Sequence, residues 1–312
     1  INNSLELGGR VWTPIGYYMD DATLNKPFRG TLKGKSGSNI KLQNIMSTAV
    51  YVEDPDNLQT GVESITNNGL GLVGYAENAT IDNLTISSCI IYGQERIGTV
   101  AGFARDTVIS NCSNGDEAAI SIENTSTFVG GRHDVGGLVG YFQSTAGVLN
   151  LNNNTNRAYV NYAANTPSSD DKYFGGIAGT VQGINTGSVL CNNNKNIMNV
   201  VGYSYVGGLF GSINGNVTVN CVGDVAADNT GSVTGDSYVA GIVAYVTNGA
   251  KVTSVNNSGA ITASAGDQYA AGIVADLNNG QITLAINNGS GSAAKAAGIV
   301  GKVSGTNNHV GN

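Results

Sequence analysis

The side chains that could carry chemistry in this chain are a few acidic pairs and a regularly spaced set of tyrosines. Two carboxylates that flank one glycosidic bond can hydrolyse it by acid and base catalysis. The acidic pairs are Asp20-Asp21, Asp54 with Asp56, Asp116-Glu117 and Asp170-Asp171. Each pair lies among bend or insertion residues, so we interpret them as solvated charge and predict no enzyme, with a polysaccharide lyase or glycosidase as the alternative.

Four tyrosines occupy one register of a repeated motif: Tyr173, Tyr205, Tyr238 and Tyr269. If the next residue in each copy faces a core, strand alternation directs these tyrosines outward. A ladder of exposed rings could bind sugars by apolar contact and hydrogen bonding. The plainer alternative is that the rings only stack and stiffen a sheet, or pack against a bend.

Metal and nucleotide chemistry have little support in the sequence. The chain has two histidines, and its four cysteines include no Cys-x-x-Cys pair, so we expect no metal and no cofactor. Gly69-x-Gly71-x-x-Gly74 matches the dinucleotide fingerprint, but that site needs a following helix, and residues 78–83 are poor helix formers.

The motif that positions these residues recurs about eight times. In Val206-Gly207-Gly208-Leu209-Phe210-Gly211, small residues surround an apolar pair. The last small residue of each copy falls at positions 74, 102, 140, 179, 211, 244, 275 and 301, so neighbouring copies are 26 to 39 residues apart. Such a period is typical of a solenoid, whose repeats must stack on one another to bury a core.

Between the motifs, apolar and polar residues alternate, as in residues 80–86 and 216–221, and Gly, Asn and Ser separate the runs. We therefore predict an all-β, single-stranded parallel β-helix (a solenoid) of about 8–10 coils, each with about three strands. Residues 1–68 form N-terminal coils that are continuous with the repeat array of residues 69–312.

Stacking of the coils also predicts an inward-facing file of side chains. Counting about 10 to 12 residues from each motif reaches Leu84, Cys112, Leu151, Cys191, Cys221, Val255 and Ile286. Asn residues often follow, and Asn side chains stacked at a bend can hydrogen-bond along the axis. Cysteines in the file act as small buried hydrophobes. Cys191 and Cys221 lie in consecutive coils, about 4.8 Å apart, which leaves a disulfide open.

Composition excludes several classes of partner. The net charge is −7 with 15 Lys and Arg and no basic cluster, so we expect no nucleic-acid binding. No apolar run approaches the roughly 20 residues of a membrane helix. The chain begins in the middle of a pattern, so we expect it to be a piece of a longer protein with flanking domains.

The repeat resembles the GLUG motif, most closely in Gly137-Leu138-Val139-Gly140 and Gly208-Leu209-Phe210-Gly211. Trp12-Thr13-Pro14-Ile15-Gly16 and the Phe-x-Gly-x-Leu-x-Gly segment at residues 28–34 are similar to the segment that often precedes GLUG repeats. The resemblance implies a right-handed parallel β-helix and a bacterial chain of the kind common in gut Bacteroidetes. Such chains are extracellular, either secreted or anchored at the cell surface or outer membrane. It implies no catalytic residues.

These observations predict a non-catalytic adhesin-like or structural module of a bacterial surface. Solenoids present long rigid faces, which suit distributed binding of carbohydrate or of a host surface protein. A spacer that accompanies a peptidase or another domain is a further alternative, as is assembly through the exposed coil ends.

Overall fold

The computed structural model describes residues 5–6, 12–18, 25–35, 39–41, 68–115, 127–162, 168, 170–221, 228–266 and 268–311. Within these residues every named element is a β-strand, and the strands form five parallel sheets. Each sheet takes at most one strand from a coil, and paired strands are about one repeat apart in sequence. The protein is a parallel β-helix, as the repeat predicts.

We number the sheets I to V in the order in which each coil passes through them, with the motif's bend between I and II. Sheet I contains Asn68–Leu70, Glu95–Ile97, His133–Gly136, Lys172–Gly175, Ser204–Gly207, Ser237–Ala240, Tyr269–Ala271 and Lys295–Ala297. Sheet II contains Val73–Glu77, Ala101–Arg105, Val139–Ser144, Ala178–Gly183, Phe210–Gly215, Val243–Thr247, Val274–Asn278 and Val300–Ser304.

Sheets III to V complete each coil. Sheet III contains Thr31–Lys33, Thr80–Asp82, Val108–Ser110, Val148–Asn152, Ser188–Asn192, Val217–Asn220, Lys251–Asn257, Gln281–Asn287 and His309–Gly311. Sheet IV contains Leu5–Glu6, Asn39–Lys41, Thr85–Ser87, Ser113–Asn114, Thr155–Asn156 and Lys195–Asn196. Sheet V contains Ile90–Tyr92, Phe128–Gly131, Tyr159–Tyr162, Val200–Val201, Val233–Gly235, Ile261–Ala263 and Gly291–Ser292.

A complete coil therefore has up to five short strands and not three. The additional bends come from single residues with positive φ, which turn the chain without a loop. Between sheets III and IV these residues are asparagines, which tolerate the left-handed region better than most residues. They are Asn83, Asn111, Asn153 and Asn193, with φ between 52° and 56°.

The core is a stack of apolar side chains from successive coils. In sheet I, Phe174 pairs with Val206, Val206 with Val239, and Val239 with Ala270, and all four side chains are buried. Burial of each large branched or aromatic side chain contributes about 1.5–3 kcal/mol to the stability of the fold. This burial holds neighbouring coils together.

A ladder of asparagines runs through the interior beside this apolar stack. Each amide nitrogen donates to the backbone carbonyl two residues further along its own coil at 2.8–3.1 Å. All but the last in the ladder also donate to the amide oxygen of the next coil at 2.7–2.8 Å. This inner Asn ladder comprises Asn156, Asn196, Asn229, Asn257 and Asn287. Buried amides need such partners, so these asparagines are structural. The sequence predicts this role for Asn257 and Asn287, which follow the predicted file, but not for Asn156, Asn196 and Asn229.

The register of sheet III corrects the predicted file. Cys191 pairs with Val219, two residues before Cys221, and Val219 pairs with Val252. Leu84 and Cys112 belong to a different position in the coil, because they directly precede Thr85 and Ser113, which pair in sheet IV. A fixed count from the motif fails because the connection from sheet II to sheet III has four residues after Gly183 but one after Gly215.

Burial of the predicted file is also not uniform. Six of its side chains are buried, whereas Ile286 is 55% exposed. Val255 pairs with Ala285, and Ile286 pairs with Asn256 on the outer side. Ser254 and Leu284, both with positive φ, interrupt the alternation within these two strands, so a period-two count assigns Ile286 to the wrong side.

All four cysteines are free and buried. The register pairs Cys191 with Val219, so Cys191 and Cys221 are not level with each other, and they form no disulfide. Burial raises the pKa of the thiols of Cys89 and Cys112 to about 12.

The described N-terminal segments continue the same stack. Thr31–Lys33 pairs in register with Thr80–Asp82, and Asn39–Lys41 pairs with Thr85–Ser87. The Trp12 indole donates a hydrogen bond to the carbonyl of Leu72 at 3.1 Å. The Trp-x-Pro-Ile-Gly segment is therefore attached to the first motif of the array.

Candidate functional site

The four predicted tyrosines form a continuous ladder on the outside of sheet I. The flanking pairs Lys172–Ser204 and Phe174–Val206 place Tyr173 level with Tyr205. The ring centroids of Tyr173 and Tyr205 lie 5.6 Å apart, those of Tyr205 and Tyr238 lie 4.7 Å apart, and those of Tyr238 and Tyr269 lie 5.7 Å apart. We call these four residues the tyrosine ladder.

The tyrosines stack on one another and do not present open faces. The rings of Tyr205 and Tyr238 are nearly parallel, at 6°, and those of Tyr238 and Tyr269 lie at 21°. His133 meets Tyr173 edge-on at 5.5 Å. All four side chains are half-buried. This corrects the expectation of exposed aromatic faces, because each ring covers its neighbour, and the ladder offers ring edges and hydroxyls instead.

The backbone of the ladder has a feature that alternation alone cannot predict. Tyr173, Tyr205 and Tyr238 have φ values of 70°, 52° and 52°. For a bulky residue this left-handed conformation is strained and is typically found at turns or functional sites. In earlier coils, the strand pairings place Asp134, Arg96 and Gly69 level with these tyrosines. These three residues also have positive φ. One column thus bends the chain in coil after coil.

The chain matches no protein-family model, no curated protein and no solved structure.

A second outward column, on sheet II, borders the tyrosine ladder. Ser212 pairs with Tyr245, Tyr245 with Asp276, and Asp276 with Lys302. The ring of Tyr245 lies 5.2 Å from that of Tyr205. Together the two columns form an elongated polar and aromatic strip along the bend between sheets I and II, which we call the I–II corner.

Three lysines lie beside rings of the ladder. The Nζ atom of Lys172 is 5.5 Å from the ring centroid of Tyr173, that of Lys302 is 5.3 Å from Tyr238, and that of Lys295 is 4.9 Å from Tyr269. These distances are within the range of cation–π attraction. Lys295 and Lys302 flank the last motif, far in sequence from Tyr238, and only Lys172 is adjacent to a ladder tyrosine in sequence. The motif spacing therefore did not predict this set of lysines.

The acidic groups of the corner have partners within it. Asp276 is buried, accepts a hydrogen bond from Ser304 at 2.9 Å and lies 3.2 Å from the ammonium of Lys302. Burial favours the neutral amine, but Asp276 outweighs this effect and raises the pKa of Lys302 above its usual value. Asp134, also buried, accepts a hydrogen bond from Thr180 and contacts His133 at 2.9 Å.

The hydroxyls of Tyr173 and Tyr205 are neutral over the physiological pH range. Burial is the main cause that raises the pKa of Tyr173 to about 12, with a further contribution from the negative charge of Asp134. Burial also raises the pKa of Tyr205. A neutral phenol both donates and accepts hydrogen bonds, so these groups can pair with the hydroxyls of a ligand.

The described acidic pair has a structural role. Asp170 is exposed, whereas Asp171 is buried. Asp171 accepts hydrogen bonds from the Arg132 guanidinium at 2.9 and 3.2 Å and from the Tyr162 hydroxyl at 2.6 Å. Burial raises the pKa of Asp171, but these hydrogen bonds outweigh it and lower the pKa below its usual value. The other predicted acidic pairs lie outside the described residues: Asp20-Asp21, Asp54 with Asp56, and Asp116-Glu117.

In the described part of the chain, no group of three His, Cys, Asp or Glu side chains is arranged to hold a metal ion. None of its elements is a helix with the length and apolar character needed to cross a membrane.

Proposed function

We propose that the protein is a non-catalytic module of a GLUG-type bacterial surface or secreted protein, which binds carbohydrate along the I–II corner. The observation that carries this proposal is the tyrosine ladder, because the same hydroxyl-bearing ring recurs at one position on four consecutive coils. A repeating polymer that lies along the axis would meet equivalent groups at intervals of about 4.8 Å, the spacing of paired strands.

Three ion pairs of the described residues support a role as a scaffold, because they join different coils. Arg132 and Asp171, Asp276 and Lys302, and Lys33 and Asp82 each form an ion pair between different coils. The inner Asn ladder likewise joins five coils by hydrogen bonds. These contacts connect neighbouring coils and leave the outer hydroxyls of the corner as the repeated groups that a partner could recognise.

Binding of the protein to an array of bacterial, plant and host glycans and host matrix proteins tests the proposal. We expect glycan binding that a Tyr205→Gly, Tyr238→Gly double variant weakens at least tenfold. Glycine accepts the left-handed backbone at both positions, so the variant should remain folded. Tyr159→Ala is the matched control, because Tyr159 lies on the outside of sheet V, away from the corner.

Two results would count against the proposal. Equal binding by the wild-type chain and the double variant would exclude the tyrosine ladder as the site. Binding to none of the glycans or matrix proteins would favour a spacer that carries another domain.

A further inference from the structure

We infer that the I–II corner takes a neutral polysaccharide and that Gln182 and Asn214 orient it by hydrogen bonds. This inference rests on the proposed function and names its ligand class and two residues that determine specificity. The groups that carry it are the tyrosine ladder and a row of amide side chains on the outside of sheet II.

The amide side chains are aligned in successive coils of sheet II. Gln143 pairs with Gln182, and Gln182 pairs with Asn214. Asn214 pairs with Thr247, which pairs with Asn278. Each amide lies two residues along its strand from the outward column that borders the ladder, which places it on the same face and about 7 Å further from the bend. We call Gln143, Gln182, Asn214 and Asn278 the amide row.

Hydrogen bonds connect the amide row to the rest of the corner. The Asn278 amide donates to the hydroxyl of Tyr245 at 3.0 Å, and the ring of Tyr245 lies 5.2 Å from that of Tyr205. The hydroxyl of Tyr141 donates to the side-chain oxygen of Gln182. The ladder, the second outward column and the amide row therefore form one continuous surface.

Two neighbouring amides of the row have a free donor. The Oε1 atom of Gln182 accepts hydrogen bonds from Tyr141 and, at 3.2 Å, from Gln143, and the Oδ1 atom of Asn214 accepts one from Asn248 at 2.9 Å. Among the described residues, no protein acceptor faces Nε2 of Gln182 or Nδ2 of Asn214. Both side chains are half-buried, so these nitrogens are available to a ligand from the solvent side. Sugar oxygens are suitable acceptors for them.

The charged groups of the corner do not provide a surplus of positive charge. Lys302 is paired with the buried Asp276 at 3.2 Å. Lys172 and Lys295 lie beside Tyr173 and Tyr269, the two end members of the ladder, and so form no row of cations along it.

The protein as a whole repels acidic polymers, because its net charge is −7. A sugar carboxylate in the corner would lose water without gaining a matching cation, which is costly. The hydroxyls of a neutral polysaccharide instead pair with phenols and amides, both of which are uncharged, while ring edges contact its apolar faces.

Calorimetric titration of the protein distinguishes the ligand classes. The neutral probes are galactan, mannan and mixed-linkage β-glucan, and the acidic probes are polygalacturonate and alginate. We expect at least one neutral probe to bind about tenfold or more tightly than either acidic probe. Its affinity should not change as salt is raised, because salt screens interactions between charges only.

A Gln182→Glu, Asn214→Asp double variant isolates the two free donors. The new carboxylates still accept the hydrogen bonds from Tyr141, Gln143 and Asn248, so the protein contacts are retained while both N–H donors are lost. We expect the melting temperature of the wild-type chain and an affinity for the neutral probe that is about tenfold weaker, the effect of two ordinary hydrogen bonds.

A Gln281→Glu, Asn161→Asp double variant is the matched control. It makes the same two chemical changes on sheets III and V, away from the corner, and should bind the neutral probe as the wild-type chain does. A loss of affinity equal to that of the Gln182→Glu, Asn214→Asp variant would show that added negative charge, and not the missing donors, weakens binding, and would overturn the role of these two residues.

The outcomes separate the inference from the proposed function. Equal or tighter binding of an acidic probe, or an unchanged affinity in the Gln182→Glu, Asn214→Asp variant, would overturn the inference and leave carbohydrate binding at the tyrosine ladder intact. Binding to no probe of either class, in this titration and on the glycan array, would overturn both.

Discussion

A β-carbon added to Gly208 would lie 2.5 Å from Cγ of Asn229 and 2.0 Å from the carbonyl oxygen of Gly241. The same relationship joins Gly176 to Asn196 and Gly241 to Asn257. The second glycine of the motif is therefore required by the inner Asn ladder, which packs against it from across the coil. The motif glycine and the residue of the inner Asn ladder in the same coil therefore contact each other, although they are about 20 residues apart in sequence.

This contact predicts that Gly208→Ala is destabilising. The added methyl group would overlap both the Asn229 side chain and the next coil, and overpacking of this kind costs about 1–3 kcal/mol. We expect a lower melting temperature by circular dichroism. Gly298→Ala is the matched control, because Gly298 is the equivalent glycine of the last motif and has no atom within 4 Å of an added β-carbon. Equal melting temperatures of the two variants would contradict this prediction.

The inner Asn ladder makes a second prediction, for Asn229→Asp. The Asn229 amide donates to Asn257 at 2.8 Å and to the carbonyl of Gly231 at 3.0 Å, and a carboxylate cannot donate either bond. We expect a loss of about 1–3 kcal/mol in the free energy of unfolding, measured with urea. Asn153→Asp serves as the control, since Asn153 lies in an exposed Asn row and aspartate tolerates its positive φ. A loss of equal size in both variants would show that burial of the ladder is unimportant.

Much of this fold could be predicted from the spacing of the motif, because each copy is one coil and equal positions become neighbours. The same reasoning predicted hydrogen bonding between stacked asparagines, but of the inner Asn ladder it located only Asn257 and Asn287. The predicted apolar file was less accurate: Ile286 is exposed because Leu284 has a positive φ and reverses the alternation. Residues such as Leu284 and Tyr205 give no local sign of a left-handed backbone, since that conformation is imposed by the coils stacked on either side.

The candidate site was predictable in its position but not in its geometry. The register of Tyr173 and Tyr205 followed from their common distance to the motif. The stacking of their rings depends on side-chain packing between coils, which a period cannot reveal. The contact of Lys302 with Tyr238 joins residues that are 64 positions apart, and no local pattern indicates it.

The pKa of His133 should lie above its usual value. Burial lowers its pKa, but the hydrogen bond and negative charge of Asp134, with a contribution from Glu95, raise it to above 6.5 overall. Because the folded pKa exceeds the unfolded value, the stabilising effect of protonated His133 is complete below pH 6.5 and is lost as the pH rises through the folded pKa. NMR titration of its ring protons should show a lower pKa in Asp134→Asn. An unchanged pKa in this variant would disprove the role of Asp134.

The four thiols should be unreactive in the folded protein. All are buried, and burial raises the pKa of Cys89 and Cys112 to about 12, which leaves almost no thiolate at neutral pH. We expect no reaction with Ellman's reagent in native buffer and four equivalents after unfolding in guanidinium. Fast reaction of one or more thiols in native buffer would contradict the described burial. Fewer than four equivalents in the denatured chain would reveal a disulfide.

Substitutions at Tyr205 test whether the ladder backbone is strained. In an ordinary strand, glycine is less stable than alanine by about 0.5–1 kcal/mol. At Tyr205, with φ at 52°, alanine would retain a left-handed strain of about 1–2 kcal/mol that glycine avoids. We therefore expect Tyr205→Gly to be more stable than Tyr205→Ala in urea unfolding, the reverse of the usual order.

Tyr159 provides the matched pair for this comparison, because it is a half-buried tyrosine in a strand of sheet V and has no positive φ. There Tyr159→Ala should be the more stable of the two variants. If the alanine variant were also the more stable at Tyr205, the result would contradict a left-handed backbone at this position. If glycine is more stable than alanine at Tyr205 but not at Tyr159, the backbone at Tyr205 favours glycine. Stacking of the Tyr205 ring with Tyr238 and Tyr173 must then offset this backbone strain.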